Sequence, residues 1–131
     1  MDLRRMRFLI DRLPMARFRI DQAMAKAAKC TASLSGMPRG GSGESQVERG
    51  VELLEAARAA HAAISQELYD MRIQLQPMLE TLENPLQKTA MRMRYIDGLS
   101  AREIAYRIHY SESHIFLTLR EAEKKLTGNE R

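Results

Sequence analysis

Few residues in this chain could do metal, nucleophilic or acid–base chemistry, and their spacing supports none of it. His109 and His114 stand on either side of an expected turn, with no cysteine and no paired carboxylates beside them to complete a metal shell. His61 falls on the apolar seam of a helix, where an imidazole packs rather than ligates. Cys30 is the sole cysteine, which excludes an internal disulfide and a cysteine-based zinc finger. Gly40-Gly41-Ser42-Gly43 lacks the Gly-Lys-Ser/Thr that follows in a phosphate loop and reads as linker. Glu52/Glu55 and Glu80/Glu83 are pairs on solvated faces, not a general acid and its base. With no nucleophile beside a base, the expectation is a non-enzyme with no catalytic residue, no cofactor and no metal.

What remains is binding by charge and shape. The chain carries 21 Lys+Arg against 17 Asp+Glu, a formal +4, and the excess is unevenly spread. Residues 1–30 hold eight basic and three acidic side chains, residues 31–83 four and eight, and residues 84–131 nine and six, giving +5, −4 and +3. The first two segments should attract one another, and the third has a modest surplus for an anionic partner. The six arginines Arg4, Arg5, Arg7, Arg12, Arg17 and Arg19 are most simply explained by pairing with the acidic second segment.

Two breaks set the elements that must position these charges. Thr31–Ser45 is rich in Gly and Ser, holds Pro38 and keeps no period, so it reads as a loop. At Asn84-Pro85, Asn suits an N-cap, Pro the first helical position, and Gln87 the far corner of a capping box. One helix should therefore end near Glu83 and another start at once. Before the first break, Leu3, Met6, Ile10, Leu13, Ile20, Met24 and Ala27 recur mainly at helical spacing, with Pro14 expected to kink or split the helix. After it, Val47, Val51, Leu54, Ala57, His61, Ile64, Leu68, Met71, Leu75, Met78 and Leu82 form a seam over about five heptads. Pro77 predicts a weak point near its end. A helix of roughly 37 residues reaches about 55 Å and cannot bury its stripe against itself. It needs the first helix folded back antiparallel, a second chain, or both.

Residues 85–126 read as three short helices. Pro85–Ile96 places Leu86, Ala90, Met93 and Ile96 on one face and stops at Asp97-Gly98. Ser100-Ala101-Arg102-Glu103 is a capping box opening Ala101–Ile108, which buries Ile104, Ala105 and Ile108. After a turn at His109-Tyr110, Ser111 caps Glu112–Leu126, whose inner stripe is Ile115, Leu119, Ala122 and Leu126. Helix, tight turn and helix at this spacing is a helix-turn-helix.

The stretch RYIDGLSAREIAYRIHYSESHIFLTLREAEKKL, Arg94–Leu126, resembles region 4 of bacterial sigma factors and the related tails of small phage and prophage proteins. With the Ser35–Pro38 loop signature and the long helix, the whole layout resembles a family of small phage proteins close to phage late-transcription activators. The resemblance implies binding of duplex DNA through the third short helix, and a role in transcription alongside RNA polymerase. Its outward side chains near the N-terminus, Glu112, Ser113, Phe116, Leu117 and Arg120, would meet base edges: Glu112 a cytosine amino group, Ser113 a base or phosphate, Arg120 guanine or phosphate. Arg92, Arg94, Arg102, Arg107, Lys124 and Lys125 would meet phosphates. His109 stands where the family has Gly, which calls for a positive φ on a non-glycine residue. Thr118 takes a position usually apolar, with Leu119 able to compensate by a small rotation of the helix. Phe116 and Leu117 are apolar where groove readers are polar; they suit thymine methyls or another protein surface.

Composition agrees with a helical protein: 44% hydrophobic, 29% charged, only 5% aromatic and no Trp, which leaves little from which to build a β-sandwich. No apolar run approaches the roughly 20 residues of a membrane span, and MDLRRMRFLIDRLP breaks its apolar residues with charges, unlike a signal peptide or anchor. The expected fold is all-α: a long antiparallel helical hairpin, coiled-coil-like, over 1–83 with a loop at 31–45, followed by a helix-turn-helix domain over 84–131. The expected function is a cytoplasmic, sequence-specific DNA-binding regulator of the phage or prophage type, with double-stranded DNA and RNA polymerase as partners, a homo-oligomer (a dimer foremost) and no membrane contact. Two other functions fit the same pattern: a small terminase-like DNA-packaging subunit, which would assemble a ring, and a protein-docking module that binds no DNA.

Overall fold

The computed structural model describes residues 1–36 and 42–128, with side chains at 1–29 and 46–128. Among these residues every regular element is helical: α1 (Leu3–Gly36), α2 (Ser42–Leu79), α3 (Pro85–Met91), a π-helical turn (Arg92–Ile96), α4 (Ala101–Ile108) and α5 (Glu112–Thr127). The chain forms two compact units, Met1–Ile10 with Leu68–Arg131, and Asp11–Glu67. The helix boundary expected at Asn84 is present, but the compact C-terminal unit reaches back to Leu68 and takes in the first turns of α1.

The unit of Met1–Ile10 and Leu68–Arg131 holds the larger core. Leu3, Met6, Leu9 and Ile10 are buried, as are Leu68, Leu75, Leu79 and Leu82. The short helices add Ala90, Met91, Tyr95, Ala101, Ile104, Ala105, Ile115, Leu119 and Ala122. Each buried aliphatic side chain contributes about 1.5–3 kcal/mol of transfer free energy, which is what holds helices as short as α3 and α4 in place.

The unit of Asp11–Glu67 consists of the middle of α1 and most of α2. Ala16, Ile20 and Ala23 are buried on α1 and Gly50 on α2. A Cβ built on Gly50 would lie 3.6 Å from the Cα of Ala27, so the two helices lie side by side there.

Several expectations are corrected. Helix α1 runs through Pro14 without splitting; the lost hydrogen bond costs about 3 kcal/mol, and buried Leu9, Ile10 and Ala16 on either side offset it. Helix takes in 31–36 and 42–45, which composition assigned to a loop; Met37, Pro38 and the rest of 37–41 lie outside the described residues. Helix α2 ends at Leu79, two residues after Pro77, rather than near Glu83. Thr81 N–H and Leu82 N–H close the turn by donating to the carbonyls of Met78 and Leu79. The α1 stripe runs through Ala23, leaving Met24 exposed, and the α2 seam through Gly50, leaving Val51 45% exposed. Read back from Leu68, a 3.6-residue helix drifts to earlier residues against a strict heptad count, which is the sense of the α2 shift. Finally, Pro85–Ile96 is not one α-helix: at Arg92 it widens into a π turn, closed by Asp97 N–H donating to the Arg92 carbonyl at 3.1 Å.

Candidate nucleic-acid interface

The site is built on two helix starts. Ser100, in extended conformation, accepts at Oγ from Glu103 N–H at 3.2 Å, while Glu103 Oε1 accepts from Ser100 N–H at 3.3 Å. This reciprocal cap satisfies two otherwise orphaned donors and fixes where α4 begins. Helix α4 ends on His109, whose φ of 62° and ψ of 44° place it in the left-handed region, as the missing glycine implied. There the N–H groups of His109 and Tyr110 both return to the Ala105 carbonyl, and the chain turns sharply. Ser111 then caps α5, its Oγ accepting from His114 N–H at 3.1 Å. The Tyr110 ring stacks on His114 with centroids 5.1 Å apart, which braces the turn.

Helix α5 is gripped from one side. Both α3 and α4 pack on it, and its inner residues Ile115, Thr118, Leu119 and Ala122 are buried. Thr118 and Leu119 are buried together: the Thr118 hydroxyl donates to the His114 carbonyl at 2.8 Å, so its polar atom is satisfied within the helix. On the other side, Glu112, Ser113, Phe116, Leu117 and Arg120 are all exposed, Phe116 by 57% and Leu117 by 53%. The five residues assigned to base edges therefore share one outward face.

The phosphate candidates divide. Arg102, Arg107 and Lys124 are exposed. Arg92 is exposed but paired with Glu80 at 2.9 Å. Arg94 is half-buried, donates to the Leu99 carbonyl and lies over the Tyr95 ring. Lys125 donates to the Gln87 side-chain oxygen at 2.9 Å. That bond corrects a further expectation: Gln87 does not complete a capping box at Asn84 but lies buried, tying α3 to α5. Asn84 alone caps α3, accepting from the N–H groups of Leu86 and Gln87.

Sequence reasoning missed the polar cluster behind this face. The Tyr95 hydroxyl is fully buried; it accepts from Arg7 Nη1 at 2.8 Å and donates to Glu123 Oε1 at 2.5 Å, while Arg7 and Glu123 pair at 3.2 Å. Burial, reinforced by the Glu123 carboxylate, pushes the Tyr95 hydroxyl well above its ordinary pKa, so it stays protonated and remains the donor. The first turns of α1 thereby hold the second half of α5. Arg72 Nε adds a bond to the Tyr95 carbonyl at 2.8 Å. Beside the cluster is a cleft of about 340 Å³ whose walls include Arg7, Arg94, Ser100, Phe116, Arg120 and Glu123. Arg94 lines it together with Phe116 and Arg120, which stand one turn apart on α5.

A family model matches residues 31–127, which include every residue of this site except Arg7. The chain belongs to that family, described as a protein of unknown function (DUF1492). No curated protein and no solved structure matches it. The match takes in α2 to α5 of this DUF1492 member but not Arg7 or the rest of 1–30. Among the described residues of this member no helix is long and apolar enough to cross a membrane, and no three metal-ligating side chains cluster.

Proposed function

We propose that this chain is a sequence-specific DNA-binding transcriptional regulator of the phage or prophage type, with α4 and α5 acting as a sigma region 4-like helix-turn-helix and α5 lying in the major groove. One observation carries the reading: α5 is held along its inner stripe by α3 and α4 while Glu112, Ser113, Phe116, Leu117 and Arg120 face outward together. A groove-reading helix needs that division, because an exposed rod without a buried stripe would not keep its orientation. Arg102, Arg107 and Lys124, exposed on the same two helices, supply cations for the flanking phosphates.

The test is selection of bound sequences from a random duplex pool, followed by salt titration of the winner. Binding should weaken linearly in log–log form as salt rises, and Arg120→Ala should relax preference at one base pair while Lys124→Ala lowers the salt slope by about one. Failure to enrich any sequence, with binding absent at low salt, would overturn the proposal.

A second reading rests on Phe116 and Leu117, each more than half exposed. Two neighbouring apolar side chains on an outward face also suit a protein partner such as RNA polymerase. Phe116→Asp separates the two: loss of a protein partner with duplex affinity intact favours docking, and loss of duplex affinity favours groove reading.

A further inference from the structure

In the unit of Asp11–Glu67, the middle of α1 and most of α2 leave a groove open along one side. Its volume is about 680 Å³. The α1 wall carries Arg19, Lys26 and Lys29, the α2 wall carries Leu53, Ala56 and Ala60, and no acidic side chain lines it. Leu53 is 52% exposed and Met15 54%, and helical spacing puts Met15 on the same face of α1 as Arg19 and Lys26. Among the described residues, Arg19, Lys26 and Lys29 have no carboxylate partner; Arg17 beside them pairs with Asp21 of its own helix at 3.9 Å. Ala27 lies against Gly50, and Gly36 and Ser42, nearly the same distance along each helix from that contact, mark where α1 ends and α2 begins, so the two segments run antiparallel. Leu53 is then level with Met24, midway along the row from Arg19 to Lys29.

We infer that this groove receives an acidic amphipathic helix of another protein, laid between α1 and α2 as a third helix. Two features select that occupant. Three cations along one wall, with no anion in the groove, call for negative charge on the partner. Leu53, Met15 and the two alanines call for aliphatic side chains beside that charge. A nucleic-acid backbone offers charge without them, and a lipid surface is too flat to follow the floor of a groove. A helix laid in an apolar groove supplies both, through anchors at i, i+3 or i+4, and i+7. Ala56 and Ala60, one turn apart, let its backbone come close. Arg19 and Lys26 are seven residues apart, about 10.5 Å along α1. The incoming helix meets them with two carboxylates seven residues apart on one flank, and sets its aliphatic seam against Leu53, Ala56 and Ala60. Lys29, one turn beyond Lys26, takes a third carboxylate. None of these residues belongs to the outward face of α5, and filling the groove does not require DNA.

The test is fluorescence anisotropy of a labelled three-heptad peptide, with Leu at a and d and Glu at e and g, titrated with the full chain. Repulsion between the Glu rows keeps the free peptide from pairing with itself. The control is the same peptide with Lys in place of every Glu. The Glu peptide should bind one to one with a dissociation constant below about 50 μM, and the Lys peptide roughly tenfold or more weakly. The double variant Arg19→Glu/Lys26→Glu should reverse that preference, which a loss of folding would not do. Leu53→Asp, which replaces an exposed residue, should weaken the Glu peptide by roughly tenfold or more, with helix content unchanged by circular dichroism. No binding of the Glu peptide at about 200 μM, or binding that ignores all of these variants, would overturn the inference. So would a different occupant. One sign of that is a double variant that loses affinity for a mixed-sequence duplex or for phosphatidylglycerol vesicles while the Glu peptide fails to bind the wild type. The other is a wild-type dimer in sedimentation that excludes the Glu peptide and that Leu53→Asp dissociates.

Discussion

The two compact units draw on the same two long helices but bury their apolar residues to different depths. In Met1–Ile10 with Leu68–Arg131, the side chains of Met6, Leu9, Leu68, Leu75, Leu79, Met91, Tyr95, Ile104 and Ile115 are almost fully enclosed. In Asp11–Glu67, the described buried residues are small or single: Ala16, Ile20, Ala23 and Gly50. The difference separates two tasks. The outward face of α5, which we propose reads duplex DNA through five side chains, must be held from behind, and α3, α4 and the start of α1 hold it. A pair of helices with an open groove is stable in proportion to what covers it.

The largest expected effect is in the enclosed unit. Ile115→Ala should cost about 2–5 kcal/mol, read as a lower denaturation midpoint, because the site is completely buried between helices. Tyr95→Phe should cost about 1–2 kcal/mol: the ring stays packed, but the Arg7 and Glu123 hydrogen bonds to its hydroxyl are lost. An unchanged midpoint in either would break the contrast. In the open unit, Gly50→Ala should stabilise by about 0.5–1 kcal/mol in thermal melts, since the new methyl makes ordinary contact with Ala27 and alanine favours helix. His109→Gly, back in the enclosed unit, should stabilise by about 0.5–1 kcal/mol through relief of its left-handed backbone, while leaving duplex selection unchanged. Val51→Ser should change stability least, within about 0.5 kcal/mol, because that side chain is already half in water. A large loss there would show that the seam packs as its heptads first implied.

The local features of the site were legible in the sequence because they depend on residues three or four apart. The Ser100/Glu103 box and the Asn84 and Ser111 caps follow from side chains competing for nearby backbone groups, and the positive φ at His109 was implied by the resemblance, whose pattern has Gly there. The inner stripe of α5 followed from its period, and Thr118 joined it because its hydroxyl bonds within the helix. The Arg7–Tyr95–Glu123 cluster was hidden because its members are 88 and 28 residues apart, and nothing local marks an arginine that will reach a buried phenol. The exact seam was also hidden: Val51 and Gly50 differ by one step of the helix, and only the neighbouring Ala27 decides which turns inward. No residue type in Arg92–Ile96 marks the π turn.

The central claim is that the outward face of α5 meets duplex DNA. A photo-crosslinking amino acid at position 116, in place of the exposed Phe116, tests it most directly when the protein is irradiated with its selected duplex and RNA polymerase together. The account predicts crosslinks to the bases of the selected site that disappear as salt is raised. Crosslinks confined to protein, with the same duplex still bound, would contradict it.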